Sequence, residues 1–194
     1  MKITPETIKA LRDRTGISVM QCKKALEEAG GDMEKALALL VQKSTDLAKK
    51  KLDRELAAGV VSSYIHGGAK VGAMVLLSCE TDFVAKNEEF VRLAYDIAMH
   101  SAAARPLYIK REEVPAAEVE RLKAEFEEEA KAKPEGVRQK IVEGKLDARM
   151  KEVVLLEQLF IKDDSKTIQG LIEAAVQKFG ERTEVSQLSV FAVK

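Results

Sequence analysis

The chain has 194 residues, enough for one or two domains with a sizeable buried core. With 46% hydrophobic residues, 33% charged residues and 32 basic against 32 acidic side chains, it reads as soluble and globular, with no overall field to attract nucleic acid or an anionic membrane. No apolar run approaches the roughly 18 residues of a membrane span. Two scattered cysteines and no signal-peptide pattern point to a reducing cytoplasm rather than a disulfide framework.

The first fifty residues carry three helix signals. Thr4 caps the first, with Pro5 at its first position, and Thr15-Gly16 ends it. Ser18 with Gln21 makes a capping box for the second, and Gly30-Gly31 stops it; Asp32 caps the third. Ile8, Leu11, Leu26, Ala36, Leu37 and Leu40 fall at helical spacing and supply a small three-helix core. Residues 44–58 (STDLAKKKLDRELAA) are charged and free of Pro and Gly, which suits a helical extension or a helical linker. The period then changes to two: residues 59–66 and 71–79 alternate across Gly67-Gly68, the pattern of a β-hairpin.

Residues 80–90 read ETDFVAKNEEF, the junction between the hairpin and a helix-period run. Thr81 or Asp82 can cap a first turn and Asn87 the main helix after it, and such a double start would leave Asp82 and Phe83 on a protruding tip. An exposed Phe beside an acid is costly without a partner to cover it, so the residues by themselves favour core packing of Phe83. Phe90, Leu93, Ala94, Ile97, Ala98 and Ser101 form the stripe of the helix that follows, and Pro106 closes that region. Pro115 opens an acidic helix over 116–133, Pro134 and Gly136 bend the chain, and a return helix runs from about 137 to 157. Ile168, Leu171, Ile172, Ala175, Val176 and Phe179 make the cleanest helical stripe, closed by Gly180. Residues 184–193 add a third strand. The expectation is an α+β fold: a three-helix N-terminal domain over 1–43, a linker over 44–58, and over 59–194 a core domain with a three-stranded antiparallel sheet and a helical hairpin at about 116–157.

Chemistry-bearing residues are few. His66 and His100 are the only histidines, and neither cysteine lies in a C-x-x-C or histidine-rich spacing that would hold zinc. Cys79 ends an inward-facing alternation and reads as a buried structural thiol rather than a nucleophile paired with His66, and Cys22 reads the same way. No loop of the GxxxxGK[ST] or GxGxxG kind is present, so neither a nucleotide cofactor nor a metal is expected. Lys49, Lys50 and Lys51 with Arg54 are interleaved with Asp46, Asp53 and Glu55 and read as a solvated helix face, not a nucleic-acid patch. Ile17, Val19 and Met20 follow the Gly16 turn, and they either pack the helix start or meet a partner.

Two motifs bear on that choice. Leu11, Arg12, Thr15 and Gly16, continued by Cys22, Lys23, Lys24, Ala25 and Leu26, together with Glu80–Ala85, Asn87 and Phe90, resemble the signatures of bacterial translation elongation factor Ts. A third stretch, 140–164, is also similar, except that the usual Q-P-F stands as Gln158, Leu159, Phe160 and lacks the proline that would stop a helix. The resemblance runs over essentially the whole chain.

It implies a guanine-nucleotide exchange factor for elongation factor Tu that makes no covalent bond. It implies an N-terminal domain like the ubiquitin-associated fold, docking on the G domain of Tu through Ile17, Val19 and Met20. It also implies a Thr81-Asp82-Phe83-Val84 segment that disturbs the partner's magnesium site. The length matches a short form with one core subdomain, which implies a homodimer in the cytoplasm. The alternative is a scaffold that binds peptides without exchange activity, which would explain the first domain but not the Thr81–Val84 tip.

Overall fold

Thr4 opens the first helix by the expected device. Its hydroxyl accepts from the Thr7 amide at 3.4 Å while the Thr7 hydroxyl accepts from the Thr4 amide at 3.0 Å, and Pro5 fills the first helical position. This is a computed structural model, and it describes residues 3–193. Helices α1 (Pro5–Thr15), α2 (Val19–Glu28) and α3 (Met33–Lys49) follow one another, with Asp32 accepting from the Glu34 and Lys35 amides at the start of α3. Gly16 ends α1 at φ +69°, where a side chain would be strained. Leu11, Ile17, Cys22, Ala25, Leu26, Ala36 and Leu40 form the buried core of these helices, with Ile8 and Leu37 packed against it. The charged stretch begins inside α3, which continues to Lys49 before the chain turns through Lys50–Arg54.

Strands β1 (Ala58–Ile65), β2 (Val71–Cys79) and β3 (Thr183–Ala192) form an antiparallel sheet in the order β1-β2-β3. Ala73, Val75, Leu77 and Cys79 of β2 are buried, following the period of two until Ser78, which is buried between the last two. Gly59 of β1 has a packing reason to be glycine: a Cβ there would lie 2.6 Å from the Leu77 carbonyl oxygen. The α+β class is as expected.

A short helix α4 (Asp82–Ala85) precedes α5 (Glu88–Ala104), whose Phe90, Ala94, Ile97, Ala98 and Ser101 are buried. The helical hairpin is α6 (Ala116–Glu129) and α7 (Glu135–Val153), and the cleanest stripe is α8 (Ile168–Phe179). A second small sheet, with strands at Leu159–Phe160 and Asp163–Thr167, was not expected from the sequence. Leu159 stands in the first of these strands, so the chain leaves α7 without a proline. The Tyr108 carbonyl takes the Leu155 amide at 2.8 Å, and Gln158 donates to the Glu152 carbonyl at 2.6 Å while its own oxygen pairs with His100 Nε2 at 2.9 Å. Those tertiary bonds replace the missing stop signal.

The described residues divide into two compact units. One holds the chain up to Ser62 with Leu76–Ala94 and Gln169–Ser186; the other holds Ser63–Val75, Tyr95–Ile168 and the chain from Gln187. Both candidate contact segments lie in the first. Among the described residues no helix is long and apolar enough to cross a membrane.

Candidate partner-binding site

The junction at residues 80–90 has the predicted double start. Thr81 is the N-cap of α4, its hydroxyl accepting from the Val84 amide at 3.5 Å, and the Asn87 side chain accepts from the Glu89 amide at 2.9 Å at the start of α5. Phe83 is 84% exposed, which corrects the core packing that the residues by themselves favour. The reason is direction. Val84 and Ala85 are buried and anchor the short helix, so the preceding residues Asp82 and Phe83 are turned out to solvent. Asp82 lies 3.6 Å from Lys86, both side chains largely in water.

The tip is not held by its own four residues alone. The Glu181 carboxylate accepts from the Glu80 amide at 3.1 Å, the Thr81 amide at 3.0 Å and the Thr81 hydroxyl at 2.6 Å. Under the tip, Phe90 and Phe179 meet edge to face with centroids 5.8 Å apart, and the fully buried Cys79 donates to the Thr81 carbonyl. Burial and the neighbouring Glu181 charge push the Cys79 thiol up, against any role as a thiolate.

The start of α2 uses the same local geometry. Ser18 is the N-cap and accepts from the Gln21 amide at 3.4 Å, and the second helical residue, Met20, is 74% exposed, with Val19 beside it also exposed. Ile17 is 4% exposed and belongs to the core of α1–α3, so it positions this surface and is not part of it. Val84 is buried in the same way at the tip. Of the seven residues named from the sequence, the outward-facing side chains are therefore Val19 and Met20 at one start, and Thr81, Asp82 and Phe83 at the other.

Lys51 departs from the solvated face expected of it. It is buried, and its ammonium donates to the Gly180 carbonyl at 2.5 Å, capping the C-terminal end of α8 where the helix dipole favours a cation. Glu181 was missed because no local pattern marks a partner 100 residues away. The only sequence signal is its place just beyond the Gly180 stop. Among the described residues no group of three or more His, Cys, Asp or Glu is placed to hold a metal.

Known proteins similar to this chain share one name. The family model described as Elongation factor TS matches residues 18–194. The chain is 50% identical over 186 residues to an Elongation factor Ts of Desulforamulus reducens, covering 95% of this chain and 86% of that protein. It is similar at 48% identity to an Elongation factor Ts of Thermodesulfovibrio yellowstonii, and at 44% to one of Thermotoga petrophila, covering in each case 100% of this chain and 97% of the relative.

Proposed function

The chain belongs to the elongation factor Ts family of translation elongation factors, and from that premise we propose that it is a guanine-nucleotide exchange factor for elongation factor Tu. The observation that carries the reading is Phe83, a large apolar side chain displayed at 84% exposure on a capped tip beside a carboxylate. Covering a Phe fully is worth about 1.5–3 kcal/mol, so the tip has binding energy to deliver to a partner. Magnesium bridges the phosphates of bound GDP to a few protein oxygens, and disturbing those oxygens removes part of what holds the nucleotide. Phe83 wedges into the partner beside that site and Asp82 draws on the groups around the ion. Thr81 and Val84 hold the wedge. Tighter binding to nucleotide-free Tu must weaken GDP by the same factor, a coupling commonly of about 1–3 kcal/mol.

Val19 and Met20 supply the second contact, on the G domain of the partner. The reading divides the chain into a ubiquitin-associated-like docking domain over 1–43, a connecting stretch over 44–58 and a core over 59–194, with the hairpin near 116–157 as a coiled-coil element. It also makes the protein a cytoplasmic homodimer. What supports the dimer is an apolar groove of about 460 Å³ on the second unit, lined by exposed Ile65, Met74, Phe191 and Val193, which a second copy can cover isologously. Phe191→Asp is expected to shift the protein to monomer in sedimentation.

The deciding experiment is the release of labelled GDP from purified elongation factor Tu. Wild type is expected to accelerate it, and Phe83→Ala to lose most of the acceleration while remaining folded. Equal rates with and without the wild-type protein would make the chain a binding scaffold instead.

A further inference from the structure

Glu181 takes no part in the contact described above, yet both of its carboxylate oxygens are committed to the base of the tip. A helix of four residues cannot sustain itself, since nucleating one turn costs more than its few hydrogen bonds return. The Thr81 hydroxyl gives its proton to Glu181 at 2.6 Å, which leaves a lone pair for the Val84 amide at 3.5 Å. Glu181 therefore sets the rotamer of the residue that caps α4. The bonding is reciprocal: the Glu80 carboxylate accepts the Arg182 amide at 2.5 Å and the Arg54 guanidinium at 3.1 Å, while Arg182 donates to the Arg54 carbonyl at 2.6 Å and to Glu184 at 2.8 Å. Two chain segments, 80–81 and 181–182, thus hold each other through charge-assisted bonds to backbone amides.

Service to α8 does not explain an acid at position 181. The residue lies just past the C-terminal end of that helix, where the dipole opposes a negative charge and where Lys51 already meets the Gly180 carbonyl.

We propose that Glu181 is a positioning residue for nucleotide exchange: by fixing the Glu80 and Thr81 amides and the Thr81 hydroxyl, it sets the direction in which Asp82 and Phe83 project into the partner. The role rests on the exchange reading given above.

The test measures labelled GDP release from elongation factor Tu against concentration of wild type, Glu181→Ala, Glu181→Gln, Phe83→Ala and the double variant. Misdirecting a contact by a fraction of an ångström is expected to lower the maximal rate about tenfold in Glu181→Ala. The half-saturating concentration stays near wild type, because Val19 and Met20 are untouched. Glu181→Gln keeps one oxygen for the two amides and recovers part of the rate. Since Glu181 acts through Phe83, adding Glu181→Ala to Phe83→Ala lowers the rate by less than about twofold further. Amide hydrogen exchange of the free protein is expected to quicken at Glu80, Thr81 and Val84 in Glu181→Ala while the amides of α5 keep their protection.

A Glu181→Ala protein with the wild-type maximal rate overturns the positioning role, and so does a full tenfold loss in the Phe83→Ala background. If Glu181→Ala loses protection throughout its unit, Glu181→Gln decides: a reduced maximal rate with an intact core supports the role, and a wild-type rate with fast-exchanging Thr81 and Val84 amides overturns it. Wild type that leaves GDP release unchanged overturns the exchange reading itself, and the positioning role falls with it.

Discussion

The starts of α2 and α4 are built alike and held differently. Each has a hydroxyl N-cap bonded to the third helical amide, and each displays a large apolar side chain at the second helical position, Met20 in one and Phe83 in the other. Helix α2 has ten residues and three of its own side chains, Cys22, Ala25 and Leu26, in the core of α1–α3. Helix α4 has four residues, buries Val84 and Ala85, and depends on Glu181 for the geometry of its cap. A display position can thus be supported by the rest of its own helix or by a carboxylate from elsewhere in the chain. The second arrangement fixes direction more narrowly, because three donors converge on one rigid group.

The comparison breaks most visibly in the core beneath α2. Leu26 is fully buried, and Leu26→Ala is expected to cost about 2–5 kcal/mol in chemical denaturation, with amide protection lost across α1–α3. An exposed Met20 surface surviving that substitution would contradict the dependence of α2 on its own core. Thr81→Val comes next. It removes the cap and leaves one Glu181 oxygen without its hydroxyl, for an expected loss of about 1–3 kcal/mol by the same measurement. Ser18→Ala should cost only about 1 kcal/mol, the ordinary value of a cap. Equal losses at Thr81 and Ser18 would remove the distinction between the two starts.

Acidification sharpens it further. Burial works against the ionised Glu80 carboxyl, but the Arg182 amide and the Arg54 guanidinium outweigh it and hold the group below its ordinary 4.5. Its stabilising contribution is therefore complete above about 4.5 and is lost as the pH falls through the depressed folded value. Burial likewise holds His100 below its ordinary 6.5, so the second unit, which keeps that imidazole neutral, begins to lose stability at a higher pH than the tip does. Following Gln158 and Thr81 amides by NMR from pH 7 down to 3 checks the order: Gln158 is expected to respond first. The smallest effects on stability belong to Met20→Ser and Phe83→Ser, each within about 0.5 kcal/mol by thermal unfolding, since neither side chain is packed. Their effect on partner binding is where the two surfaces are to be told apart, with Met20→Ser weakening docking and Phe83→Ser lowering the exchange rate.

Much of this architecture is readable in the sequence. Caps at Thr4, Ser18, Asp32 and Asn87 are local bonds between a side chain and an amide two or three residues on, so the sequence states both partners, and at the tip it narrows the cap to Thr81 or Asp82, of which Thr81 takes the place. The hairpin and the α5 and α8 stripes follow from periods of two and 3.6 that need no tertiary knowledge, and the final strand from its β-branched and apolar composition. The exposure of Phe83 was not legible from the residues alone, because a Phe at helical spacing from Phe90 fits a core as well as a tip. The burial of Lys51, the strand at Leu159 and the role of Glu181 were not legible at all.

The reason is the range of the forces involved. The sequence by itself determined the main helices, the hairpin and the last strand, where several of them begin, and, through two motifs, the family to which the chain belongs. Only the tertiary structure decided which face of each short element meets solvent. That depends on the Gly180 carbonyl for Lys51, on the Tyr108 carbonyl and His100 for the chain around Leu159, and on Glu181 for the tip. Each of those groups is distant in sequence from the residue it controls, and hydrogen bonds between distant groups leave no periodic trace in the chain that makes them.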